Sequence, residues 1–470
     1  MLTDDIFFAS ISELGAQLRA GKLSPVELTE GYLARLEKYG PRLGAVVTIM
    51  RESALKEARA AEREFKRGHY RGPLHGIPCG VKDLLATHDA PTTWGATPYK
   101  DQKFDHDATV VRRLRDAGAI LLAKLAMVEL AGGMGYFHAD ASLTGAGRTP
   151  WNTKYWSGGS SSGPGAATAA GLVAFAIGSE TSGSIITPAS FCGVTGLRPT
   201  YGRVSRHGAM ALSWTLDKLG PMCRSAADCG YVLATIAGLD PLDPTSHNRP
   251  FRYPPPTTTR PPARKLRVAV LKGSYEQAQK EVHDNFLASL DWLKKNAQVT
   301  MDVTLPDFPY GAVVGTIVNA EGASAFRDLI ESGRVKELAV PEDRIGGYSM
   351  LLVPAVDYLH AMRLRAPMRR AWAEMFKKFD LLVAPSRATV ANPVDKSFAE
   401  AWPGVRATSP IGAANAVGVP AISVPNGFGV EGLPTGLQFV GPAWSEDLLV
   451  ETAARYQQAT DWHKRRPPLA

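Results

Sequence analysis

The chain of 470 residues is 45% hydrophobic and 21% charged, a balance that sustains a large buried core and excludes a disordered or fibrous protein. Its net charge is +8, but the basic residues fall in short clusters (Lys265 and Arg267, Arg363 to Arg370, Lys464 to Arg466), which argues for solvated faces and against a nucleic-acid partner. Cys79, Cys192, Cys223 and Cys229 are too few and too unevenly spaced for a disulfide framework or a metal site. With neither a basic, apolar leader nor a run long enough to span a bilayer, the expectation is a cytoplasmic protein that does not enter the membrane.

Along the chain, Ser24-Pro25-Val26-Glu27 has the pattern of a capping box and predicts a helix through Leu33 and Leu36 to Gly40. A charged helix from about Arg51 to Lys66 follows the apolar run Ala45 to Met50, and residues 1–66 read as an N-terminal helical region. Gly76 to Leu85 reads as an apolar strand holding one lysine. Burial statistics favour an exposed Lys82 on a strand edge over a lysine kept in a dry place. From Asp107 an amphipathic helix ends at a glycine, Ala119 to Ala123 follows as a buried strand, and the β-α-β alternation points to an α/β protein.

Gly132 to Tyr136 is a glycine-rich turn, with Met134, Gly135 and Tyr136 as candidates for a pocket wall. Ala166 to Ala170 predicts a helix of small residues and Leu172 to Ile177 a strand, with several loops after Gly196. Ser225 caps a helix through Ile236, and Tyr253 to Pro262 is an exposed proline-rich loop. A strand at Leu266 to Leu271, a helix at about Glu276 to Asn296 and a strand at Val299 to Leu305 resume the pattern. Residues 322–379 are helical, and about 322–403 form a lid or pocket region within the domain. Leu381 to Pro385 and Ala421 to Pro425 are buried strands, and Ser445 caps a last helix through Gln458.

Two serine-bearing stretches concentrate the chemistry: Gly158-Gly159-Ser160-Ser161-Ser162-Gly163 and Ser182-Gly183-Ser184-Ile185. Such composition also suits a flexible linker. The first stretch formally matches the nucleophile elbow Gly-x-Ser-x-Gly around Ser161, but Pro150 to Trp156 has no strand period to carry an elbow. No Gly-Lys-Ser/Thr follows to make a phosphate loop, and the ten histidines show no ligand spacing.

Taken with Gly76 to Asp83, Gly178 to Ile185 followed by Pro188 to Gly193, Gly196 to Arg203, Leu219 to Met222, Val419 to Pro425 and Leu433 to Gln438, these stretches resemble the amidase signature family. The resemblance implies a single α/β domain over residues 1–470, with a central twisted mixed β-sheet covered by helices on both faces. It also implies Ser184 as nucleophile, Ser160 after a cis peptide as proton relay, Lys82 as base, and the backbone N–H groups of Thr181, Ser182, Gly183 and Ser184 as the oxyanion hole. No metal or organic cofactor is required. Independently of the family, a serine hydroxyl needs a base, and Lys82 serves only when neutral, which takes about 4 to 5 kcal/mol of bias against the charged form.

Where the family commonly reads Asp-Thr-Gly-Gly-Ser-Ile-Arg, this chain reads Glu180-Thr181-Ser182-Gly183-Ser184-Ile185-Ile186. Ser182 restricts the oxyanion loop, Glu180 leaves the aspartate's hydrogen bonds in question, and Ile186 removes an arginine that can hold an acidic substrate. Tyr136, Phe137, Tyr155, Trp156 and Trp214 lie near these segments, and two or more of them in a pocket favour an apolar or aryl substrate. The expected function is hydrolysis of small-molecule amides, anilides or carbamates, with a homodimer left open. The competing readings are the glutaminase (A) subunit of a tRNA-dependent amidotransferase and a non-enzymatic binding protein on the same fold.

Overall fold

In the computed structural model, which describes residues 2–253 and 264–469, eleven strands join into one mixed sheet. They are β1 (Val46–Ile49), β2 (Pro78–Lys82), β3 (Ile120–Leu125), β4 (Phe175–Glu180), β5 (Thr195–Arg198), β6 (Lys218–Cys223), β7 (Leu266–Leu271), β8 (Ala297–Val303), β9 (Leu381–Pro385), β10 (Ala421–Phe428) and β11 (Pro434–Val440). Their order across the sheet is β1-β3-β2-β4-β6-β5-β10-β11-β9-β7-β8. β2 runs parallel to β3 and β4, and β7 parallel to β8 and β9, while the remaining pairs are antiparallel.

Strand alternation explains how one sheet is buried on both faces. On β9, Leu381 and Val383 belong to one apolar cluster and Leu382 and Ala384 to another; on β7, Val268 and Val270 part from Ala269 and Leu271 in the same way. Each face therefore needs its own helical cover, which is why these strands read as continuous apolar runs. The larger cluster takes Leu28, Leu33 and Leu36 from the helix Pro25–Tyr39 and Ala54 and Ala58 from the helix Arg51–Lys66. The second takes Val313 and Ile317 from the helix Tyr310–Ala325 and Met368 and Trp372 from the helix Ala355–Lys378.

The helices Pro25–Tyr39, Arg51–Lys66 and Ala226–Ile236 fall where the sequence places them. Ser24 caps the first by accepting from Val26 N (3.0 Å) and Glu27 N (3.4 Å), but its own hydroxyl donates to Glu62, outside a reciprocal box. Ser445 caps no helix with its side chain; its hydroxyl turns back to the Pro442 carbonyl at 2.7 Å. Residues 1–66 are not wholly helical, because β1 pairs antiparallel with β3. Residues 322–403 likewise contribute β9 to the sheet. Within the Tyr253 to Pro262 loop expectation, residues 254–262 lie outside the described residues.

Three strands escaped the sequence reading: β5, β6 and β11. β6 contains Gly220 and Pro221, and β11 opens on Pro434, residues that ordinarily interrupt strands. Every residue of β6 is buried between β4 and β5, so tertiary pairing overrides the local signal.

Lys82 corrects a firmer expectation. It is fully buried rather than exposed on an edge, because β2 is an inner strand flanked by β3 and β4.

Candidate active site

β2 and β4 are parallel neighbours, so their carboxyl ends open at the same edge of the sheet. Lys82 closes β2, and Ser179 and Glu180 close β4. Ser160 comes from the loop before the helix Ser162–Ala169, after a cis Gly159–Ser160 peptide bond. Lys82 Nζ donates to Ser160 Oγ at 2.7 Å and to Ser179 Oγ at 2.9 Å. Burial pushes the Lys82 ammonium down to about 7, against the pull of Asp217 and Glu180 towards the charged form. A lysine in this condition holds a substantial neutral fraction near neutrality and can accept a proton through the serine it touches.

Ser184 lies in the turn between β4 and the helix Ile186–Cys192 and is 7% exposed. Its carbonyl accepts from Ser161 N at 3.3 Å, which ties the two serine stretches together through backbone. Among the described residues, Ser184 Oγ makes no hydrogen bond. Ser161, the serine of the formal elbow, is fully buried and occupied: its hydroxyl donates to Ser179 O at 3.1 Å and accepts from Ser179 N at 3.2 Å.

Glu180 shapes this turn. Burial raises its carboxyl, but Arg198 and Lys218 and their hydrogen-bonding neighbours outweigh that and hold it at about 2. Arg198 Nη1 and Asn415 Nδ2 each donate to Glu180 Oε1 at 2.8 Å, leaving Oε2 to accept Ile185 N (2.9 Å) and Ile186 N (3.0 Å). The longer side chain thus caps the first turn of the helix after Ser184, which settles the question raised by finding glutamate where the family has aspartate. Gly183 has φ +92°, and a Cβ there would meet Ile411 and Thr187 at 3.3 Å. Within the turn the N–H groups of Ser182, Gly183 and Ser184 find no acceptor among the described residues, so they are free for an oxygen of a ligand.

The family model described as Amidase matches residues 27–450. The chain belongs to the amidase signature family. AmiD of Mycobacterium tuberculosis, provisionally named an amidase, is 38% identical over 99% of this chain and 97% of its own. The glutaminase (A) polypeptide of the glutamyl-tRNA(Gln) amidotransferase of Moorella thermoacetica is 35% identical over 99% of both chains. The native peptide amidase of Stenotrophomonas maltophilia superposes with a TM-score of 0.84 at 33% identity, covering 98% of each chain. Amidase signature enzymes hydrolyse C–N amide bonds, and the family fold is the single mixed sheet described above.

Around this amidase signature core, the other named residues separate. Met134 is buried beneath the helix Pro341–Met350, where glycines 346 and 347 leave room for its carbonyl and sulfur, so it packs the interior instead of walling a cleft. Gly135 abuts Asp343 on that helix. Only Tyr136 reaches the serine loop, its hydroxyl 3.1 Å from where a Gly159 Cβ would stand. Trp214 lines a cavity with Ser179, Thr181 and Asp217, and Trp156 lines a second with Arg387 and Phe398. Phe137 is 51% exposed and Tyr155 half-buried. Ile186 is fully buried in the second apolar cluster, so nothing at that position clamps an anion.

Several functional neighbours were not singled out from sequence. Ser179 holds Lys82, and the only hint was its place two residues before Thr181 on one strand face. Asp217 accepts from Thr181 Oγ1 at 2.6 Å, and Lys218 Nζ donates to Asn415 at 2.5 Å; both lie in the β6 region that read as loop. His88, Asp89 and Asp107 group three ligand atoms within 4.8 Å, but Arg115 pairs with both carboxylates (2.9 and 3.4 Å) and takes the place of a cation. Among the described residues, no helix is long and apolar enough to cross a membrane.

Proposed function

We propose that the chain is a stand-alone amide hydrolase working through an acyl-enzyme on Ser184. The observation that carries this reading is the 2.7 Å hydrogen bond between Ser160 Oγ and a lysine held by burial at about 7. The substrate carbonyl sits against Ser182, Gly183 and Ser184 N–H. As Ser184 Oγ attacks, its proton passes to Ser160 Oγ while the Ser160 proton passes to Lys82 Nζ. The tetrahedral oxyanion is held by the turn's N–H groups, where a donor is worth about 3 to 4 kcal/mol in comparable sites. On collapse the relay reverses: Lys82 returns its proton through Ser160 to the leaving nitrogen. Water then enters by the same route, giving up a proton to the relay, and releases the acid.

The aromatic side chains near both cavities favour amides, anilides or carbamates with an apolar or aryl portion. A panel of such compounds incubated with the protein and analysed by intact mass and peptide mapping should show a transient acyl adduct on Ser184; an adduct on another residue, or turnover surviving Ser184→Ala, overturns the assignment. A second reading, the glutaminase component of an amidotransferase, draws on the 35% identity to such a component over 99% of both chains. Activity confined to glutamine and dependent on added partner proteins would favour it.

A further inference from the structure

Arg387 follows the buried strand β9 and is anomalous. Among the described residues its guanidinium forms no hydrogen bond or ion pair, and the one ionisable group close enough to affect it is Tyr136. Protein crowds it enough to disfavour its charge, yet its side chain keeps open surface, as does that of Tyr136 at 39%. Both conditions hold together for a group that faces an internal cavity. That cavity, of about 280 Å³, has room for a small organic molecule, since one water takes about 30 Å³.

The other polar lining has the same bias. Trp156 Nε1, Trp402 Nε1 and Ser274 Oγ all belong to residues lining this cavity, are buried, and lack a hydrogen-bond partner. Indole and guanidinium groups only donate. Buried polar groups are ordinarily satisfied, so an unpartnered cation and three unpartnered hydroxyl or indole groups around one space imply a ligand rich in acceptors. No Asp or Glu lines the cavity to compete for them.

The cavity also adjoins the serine loops. Trp156 lies 2.6 Å from the position a Gly159 Cβ would occupy, and Ser409 on the opposite wall is two residues from Ile411, which packs against Gly183. We propose that this cavity receives the carboxylate of the substrate, so that the preferred substrates are amides bearing a carboxylate and an aromatic or apolar portion. The carboxylate binds Arg387 from β9, replacing the cation that Ile186 removes from the other side, while Trp156 and Phe398, stacked at 4.4 Å, flank its apolar part. This rests on the amide-hydrolase reading above.

The test uses the full chain and a matched pair: N-phenylsuccinamic acid and its methyl ester, with aniline release as readout. Wild type should prefer the acid by at least about tenfold in kcat/KM. Arg387→Gln should lower kcat/KM for the acid by about 10- to 150-fold, mainly through KM, and collapse the acid-to-ester ratio, as expected for loss of one charge-assisted contact. Equal turnover of acid and ester by wild type, or an equal fall for both in Arg387→Gln, overturns the proposal. Benzoate titration of Ser184→Ala, followed by tryptophan fluorescence, separates this from the chemistry. Binding lost on adding Arg387→Gln, with no amide turned over by wild type, keeps the anion site and retires the hydrolase reading. Turnover of neutral amides without Arg387-dependent benzoate binding does the reverse.

Discussion

Lys82→Met tests the centre of the site by stability as well as by rate. In the folded chain Lys82 loses its proton near pH 7, whereas unfolded it holds it to about 10.5. Between those values the unfolded state binds the additional proton, so folding stability rises with pH across that window and Lys82 is a liability at its lower end. Linkage puts the cost at about 4 kcal/mol at pH 7 and about 1 kcal/mol at pH 10. Methionine removes that cost but strips Ser160 and Ser179 of their donor, an offset of about 1 to 3 kcal/mol that does not vary over this range. Urea unfolding of both proteins at pH 7 and pH 10 should therefore show the variant gaining about 3 kcal/mol relative to wild type at the lower pH, while turnover vanishes. Titration of other groups cancels in the comparison where they lie far from residue 82. A difference between variant and wild type that is the same at both pH values would mean that Lys82 stays charged in the folded protein, and the relay would lose its base.

Ser184→Ala should abolish turnover and leave the urea midpoint near wild type, whereas Ser161→Ala should keep measurable turnover and cost about 1 to 3 kcal/mol, because it strands Ser179 N–H and C=O in the interior. Glu180→Gln should cost about 3 to 5 kcal/mol at pH 7 by leaving Arg198 buried and unpaired. Because the Glu180 carboxyl is depressed from 4.5 to about 2, its contribution is complete above the higher value and is lost as pH falls through the lower; unfolding at pH 7 and pH 3 should show the deficit shrinking. Gly183→Ala places a side chain at φ +92° against Ile411 and Thr187, so kcat should fall at least about tenfold with a stability loss of about 1 to 2 kcal/mol, measured by steady-state kinetics and thermal unfolding.

Much of the architecture was legible because its signals are local. The helix Arg51–Lys66 and the strands Leu266–Leu271 and Leu381–Pro385 announce themselves by periodicity or by unbroken apolar runs. β6 did not, since Gly220 and Pro221 erase a strand signal that only pairing with β4 and β5 restores. With β6 went Asp217 and Lys218, which touch Thr181 and Asn415. Lys82 shows the same division within one residue: its strand was evident, but its burial follows from β2 lying between β3 and β4.

By itself the sequence determined the family, the α/β class and the identity of the serine-bearing stretches, because those depend on which residue types stand in which order. Tertiary structure alone decided that Lys82 and Ser160 meet at 2.7 Å across 78 residues of chain, that Glu180 caps the helix after Ser184, and that Arg387 faces a cavity beside Trp156. Burial, which moves a lysine to about 7 and leaves a guanidinium without a partner, is a property of what surrounds a residue from distant segments, and no local stretch of sequence encodes it.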